Sequence, residues 1–182
     1  MDLPVLYEET GQLMEYCQLL KHPKYAATWT TSYSNEMGRL CQGIGRNTEV
    51  TGKRVEGTDT FFVIHYGDTP AGIHKDITYT LVVYKVHPQE EDPDRTQITI
   101  GGNRICYPGD VGTPTVSLEL FKLLINSVLS RKGARFVCFD TKNFYLDTPL
   151  DCPKYACIHL KDISQKFIAG YNLTIYARDG WV

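Results

Sequence analysis

The spacing of apolar positions changes several times along the chain, and each change marks an element. Residues 10–21 carry a short helix pattern that stops before Pro23. Pro23 starts a second helix, because a missing amide proton is harmless in the first helical turn. In it Tyr25, Trp29, Glu36 and Leu40 fall roughly on one face, which predicts packing aromatics. The run QGIGRNTEVTGKRVEGTD is polar and glycine-rich, a loop that closes the helical part.

Two β-rich runs follow, TFFVIHY at 60–66 and ITYTLVVYKV at 77–86, separated by the turn-forming GDTPAG. After the charged loop HPQEEDPD comes RTQITIGG, whose alternation places Arg95, Gln97 and Thr99 on one face and Ile98 and Ile100 on the other. These three runs predict a three-stranded antiparallel sheet, ended by Gly101 and Gly102. From Thr113 a helix is expected: Thr113 as cap, Pro114 in the first turn, then Val116, Leu120, Leu123, Leu124 and Val128 at helical spacing up to Gly133. The apolar RFVCF then reads as a strand that delivers Asp140 at its C-terminal end, and PKYACIHL as another strand. DISQKFIAGY reads as a helix with Asp162 as cap and Gln165 completing a capping box. The final TIYARDGWV looks like half a hairpin without its partner strand. Helices and strands in this order predict an α+β fold rather than alternating βαβ units.

Composition narrows the class. With 42% hydrophobic residues, 22% charged and a net charge of −2, the chain has enough apolar surface for a core and too little charge imbalance for a disordered tail. Near-neutral charge argues against an autonomous nucleic-acid binder, although Arg131, Lys132, Arg135 and Lys142 cluster locally. The six cysteines, Cys17, Cys41, Cys106, Cys138, Cys152 and Cys157, are scattered, and the N-terminal MDLPVLYEETG has no signal-peptide pattern. Free thiols in a reducing compartment are expected. Cys152, Cys157 and His159 lack the fourth ligand of a structural zinc site. No apolar run approaches the ~20 residues of a membrane helix.

Chemistry concentrates in RFVCFDTKNFYLDTPL, where a buried carboxylate at 140 would need a partner and Tyr145 follows five residues on. The arrangement resembles the first catalytic motif of reverse transcriptases, and the likeness extends along the chain. TWTTSYSNEMGRLCQG sets Trp29 seven residues before Glu36, DRTQITIGGNRI is similar to a basic fingers strand, and PKYACIHL to the strand after a catalytic turn. In order and spacing the whole resembles the polymerase of copia-like LTR retrotransposons.

That resemblance implies the fingers and incomplete palm of a right-hand polymerase, with antiparallel sheets and packed helices. It divides the chain into an N-terminal helical segment (1–46), a fingers-like β-rich segment (47–112) and a partial palm (113–182). It also implies nucleotidyl transfer by two magnesium ions, which sit about 3.5–4 Å apart and stabilise attacking and leaving oxygens. Asp140 would supply one carboxylate and Thr141 a carbonyl, Tyr145 would lie beneath the sugar of the incoming nucleotide, and Arg95 would meet the triphosphate. The family's second basic residue on that strand is here Gln97. The implied partners are an RNA or DNA template-primer and a deoxynucleoside triphosphate, with no membrane, in the cytoplasm or nucleus. No Asp-Asp pair occurs in the 182 residues, so the chain reads as a fragment without the remaining palm, thumb and RNase H, inactive by itself.

The competing reading is a catalytically dead relic or domesticated module that binds RNA or a protein partner. Other enzyme classes fit less well. FDTKN has Lys142 where an aspartic protease needs glycine, and no second Asp of the haloacid dehalogenase pattern is present. Cys138 in its apolar run reads as a buried small hydrophobe rather than a nucleophile.

Overall fold

A computed structural model describes residues 5–7, 11–45, 54–89, 93–105, 109, 115–138, 143, 146, 150 and 152–182. The fold is mixed α+β, with small sheets and four α-helices among those residues. The chain divides into two compact units, Met1–Ile105 with Leu150–Val182, and Cys106–Pro149.

In the first unit, β1 (Val5–Tyr7) and β2 (Gln12–Met14) form a small antiparallel hairpin. The helix predicted from residue 10 is therefore shorter: α1 covers Tyr16–Lys21, after Glu15 has donated its amide to Gln18 Oε1 at 2.9 Å. The next helix, α2, runs Ala26–Leu40, three residues later than Pro23. Its buried stripe is Trp29, Tyr33, Met37 and Leu40, one turn apart each time. Trp29 meets Tyr84 edge-on at 5.4 Å, and Tyr84 stacks on Tyr16 at 4.2 Å, so rings from two helices and a strand make the centre of the core.

The predicted strand at 60–66 does not form, and the end of α2 takes up the amides at its start. A helix leaves its last carbonyls without intrahelical donors. Here Thr58 donates to Arg39 O at 2.8 Å, Phe61 to Leu40 O at 2.8 Å and Asp59 to Cys41 O at 3.1 Å. Those amides close the helix instead of entering a ladder. Gly57 permits the approach, since a Cβ there would collide with the Cys41 carbonyl.

The sheet is built from β3 (Thr78–Val86) and β4 (Asp94–Ile100), antiparallel as expected, with Tyr84 opposite Thr96. Its third strand is β5 (Ala156–Cys157), which pairs parallel with Thr78 and Tyr79. Strand order is β4-β3-β5. At the β4 edge the Thr96 amide donates to Ser32 Oγ on α2 at 3.0 Å, which occupies a group that an edge strand would otherwise expose.

The last helix, α4 (Gln165–Tyr171), is capped by Ser164 rather than by Asp162. Ser164 Oγ accepts from the Phe167 amide at 3.3 Å and bonds Ser34 Oγ of α2 at 2.7 Å in a buried contact. The Tyr171 hydroxyl ties the helix to the loop after α2, donating to Gly43 O at 2.6 Å and accepting from the Gln42 amide at 3.0 Å. Nor does the tail lack a partner strand: Val182 exchanges backbone hydrogen bonds with Ile158, and the Leu160 amide donates to Gly180 O.

The second unit contains α3 (Leu118–Leu129), which starts later than its apolar spacing predicts. Residues 115–117 are not helical, and Ser117 is the cap, accepting from the Leu120 amide at 3.2 Å. Thr113 and Pro114 lie outside the described residues. Phe121 meets Phe136 edge-on at 6.2 Å. Residues 135–138, expected to begin the strand that ends at Asp140, join no ladder among the described residues, and Phe136 and Val137 are 49% and 74% exposed. Cys138 is exposed, contrary to the expectation of a buried thiol. Among the described residues the buried cysteine is Cys41, whose thiol burial pushes up to about 12.

Candidate nucleic-acid interface

Alternation along β3 and β4 separates two faces. Thr78, Val82, Tyr84 and Thr96 are buried on one, against the helices. On the other lie Lys85, Arg95 and Gln97, all exposed, with Leu81, Val83 and Thr99 half-buried between them. Arg95 and Gln97 therefore share the face that the sequence pattern gave them.

The register adds a residue that the sequence reading passed over. Lys85 is the direct cross-strand partner of Arg95, and Val83 that of Gln97. Side chains so opposed have Cβ atoms about 4.5–5.5 Å apart, and like charges in that relation destabilise the pair. Period-two alternation in ITYTLVVYKV was the available signal for Lys85, but its partner could be known only from the pairing register. Ladder geometry thus gathers two cations on one sheet face. An anion such as phosphate could accept from both.

The residues that carry the resemblance at α2 hold the scaffold. Trp29 is fully buried. Glu36 takes a two-pronged contact from Arg39, Nε to Oε2 at 3.0 Å and the terminal nitrogen to Oε1 at 2.8 Å, one turn apart on the same helix. Because the Arg39 carbonyl also receives the Thr58 amide and hydroxyl, this pair steadies the junction between α2 and the following loop.

Asp140, Thr141 and Tyr145 lie outside the described residues, as do Glu90, Glu91 and Asp92. Around the aromatic turn the described contact is Leu146 N to Asn143 O at 2.8 Å, with Asn143 at φ 60°, a left-handed conformation that asparagine tolerates. Among the described residues no three His, Cys, Asp or Glu side chains come together as metal ligands. No helix among the described residues is long and apolar enough to cross a membrane.

No family model, no curated protein and no solved structure matches this chain.

Proposed function

We propose that the chain is the fingers and first palm portion of an RNA-directed DNA polymerase of the copia-like retrotransposon type, and that its β3–β4 face meets phosphates of template-primer or incoming nucleotide. The observation that carries this reading is the opposition of Lys85 and Arg95 across the ladder. On the polymerase resemblance a fingers strand should present two basic residues, and Gln97 occupies the second place. Lys85 restores that charge from the neighbouring strand. Motif order supports the same reading, with the Trp29 to Glu36 helix, the basic strand and the Asp140 to Tyr145 turn following in sequence.

In this proposal Asp140 and Thr141 are the first magnesium ligands of a site that requires further carboxylates, and Tyr145 is the ring beneath the sugar. The chain by itself then binds without polymerising. A few rigidly held carboxylates are needed to keep magnesium in its octahedral geometry.

The test is binding of a fluorescent RNA-primed template by the purified chain across a salt series. Lys85→Gln and Arg95→Gln should each lower the slope of log affinity against log salt by about 1. An unchanged slope in both variants would remove the sheet face from the interface. Joined to a Tyr-x-Asp-Asp hairpin and the rest of a palm, the chain should gain primer extension, which Asp140→Asn abolishes and Tyr145→Ala retains with a raised ratio of ribonucleotide to deoxyribonucleotide efficiency. Extension that survives Asp140→Asn would end the polymerase reading.

A further inference from the structure

We infer that the first unit carries a separate nucleotide pocket, built around the Arg178–Trp181 turn. The cavity is about 370 Å³ and is walled by Tyr66, Tyr155, Tyr176 and Trp181, with Arg178 and Asp179 at its rim. That volume falls in the range of small-ligand sites, whose usual make-up is apolar and aromatic walls with a few polar groups.

Local structure fixes the wall. Arg178 and Trp181 exchange backbone hydrogen bonds of 2.9 Å in both directions, and the residues between them, Asp179 and Gly180, have φ of 52° and 82°. This is the two-residue hairpin in which Asp-Gly is favoured, because both central positions need positive φ. The turn is held in place by the bonds from Ile158 and Leu160 to Val182 and Gly180. Arg178 and Trp181 thus become cross-strand neighbours facing one cavity. His159 backs the Trp181 ring edge-on at 5.0 Å, and His65 packs on Tyr176 at 4.6 Å.

The chemistry of the wall selects its ligand. Trp181 remains 47% exposed, so its ring is open to a planar partner, whereas the Tyr66 ring is already stacked on His74 at 4.8 Å. An aromatic box can also hold an organic cation. Here, however, the Arg178 guanidinium, its Nε 3.8 Å from the Asp179 carboxylate, already lies over the Tyr66 ring at 4.8 Å, so that ring already has its cation. A flat base against Trp181, with a phosphate at Arg178, satisfies both features, as base stacking on aromatic side chains does in single-strand binders. The Asp179 carboxylate can accept from a base amino group. The shared ligand is a nucleotide, either free or as one unit of a single strand. This inference stands on its own residues, none of which belongs to the β3–β4 face.

Tryptophan fluorescence reads it directly, because Trp29 is fully buried and Trp181 is not. AMP and oligo(dA) should each quench the full chain saturably. If oligo(dA) binds no tighter per site than AMP, the ligand is the free nucleotide; a large gain identifies a strand. Trp181→Ala should abolish the quench, since the remaining Trp29 is buried. In Arg178→Gln the preference for AMP over adenosine should disappear while adenosine binding persists, a readout that unfolding could not mimic. Absence of saturable quenching by both probes would overturn the inference. So would tighter binding of tetramethylammonium than of AMP, or an AMP preference unchanged in Arg178→Gln. The salt slope at Lys85 and Arg95 is measured independently, so failure of one site leaves the other standing.

Discussion

Helices α2 and α3 begin from similar material and end in opposite environments. Each carries an apolar stripe at helical spacing, yet α2 buries Trp29 and Tyr33 completely while α3 buries nothing, with Leu123 66% and Leu129 79% exposed. The difference lies in what each stripe meets. Beside α2 stand β4, reached through Ser32 and Thr96, and α4, reached through Ser34 and Ser164. Within its own unit α3 has the edge-on contact of Phe121 with Phe136. An amphipathic pattern specifies that a face is apolar, whereas the stabilisation comes from the area that another element removes from water.

The largest effect should therefore separate the two stripes. Trp29→Ala removes the ring that meets Tyr84 and leaves a cavity under α2, at a cost of about 3–5 kcal/mol. Leu123→Ala in α3, already mostly exposed, should stay within about 0.5 kcal/mol. Urea unfolding followed by near-ultraviolet circular dichroism checks both. Equal losses would mean that α3 is buried in solution and would erase the contrast.

The helix caps sharpen it at a smaller scale. Ser164→Ala removes an N-cap and the buried bond to the Ser34 hydroxyl, which keeps its bond to the Thr30 carbonyl, so its cost should sit at the upper part of the range for caps, about 1–2 kcal/mol. Ser117→Ala removes the bond to the Leu120 amide and the hydroxyl's bond to Glu119 at an exposed helix start, and about 0.5–1 kcal/mol is expected. Thermal melts of the two variants give the comparison. A larger loss for Ser117→Ala would show that the second unit depends more on local helix stability than on packing.

The parts of this fold legible in sequence are those with local causes. Alternation placed Arg95, Gln97, Ile98 and Ile100 correctly, and the helical spacing at Trp29 and Leu40 identified a buried face. Misreadings came where distant groups decide. Residues 60–66 are as rich in β-branched and aromatic side chains as any strand, but the amides at their start are spent on the carbonyls ending α2. The third strand of the sheet comes from 156–157, a parallel partner more than seventy residues away that no periodicity reveals. Caps slipped for a related reason: Ser164 and Ser117 stand near the Asp162 and Thr113 chosen as caps, and each candidate is a sound cap by residue type alone. At the sheet face, Arg95 was visible in the sequence and Lys85 was not, because only the register makes them neighbours.

The smallest expected effect is also the one in which the two units should differ in sign. Burial at the start of β4 raises the Asp94 carboxyl above its ordinary 3.8, since desolvation disfavours the charged form. In α3 the Glu119 carboxyl is held below 4.5, first by a hydrogen bond from its own backbone amide and then by the Ser117 hydroxyl. For Asp94 the folded value exceeds the unfolded one, so its favourable contribution is full below 3.8 and is lost as pH rises through the folded value. For Glu119 the contribution is present above 4.5 and is lost as pH falls through the depressed folded value. Asp94→Asn should consequently make the melting temperature less sensitive to a rise in pH through the carboxylate range. Glu119→Gln should make it less sensitive to a fall. Side-chain carboxyl shifts followed by NMR, alongside melts of both variants from acid to neutral pH, resolve the two signs. If Asp94 titrates below 3.8, the start of β4 is open to water, and the edge that Ser32 closes at Thr96 does not extend two residues back along the strand.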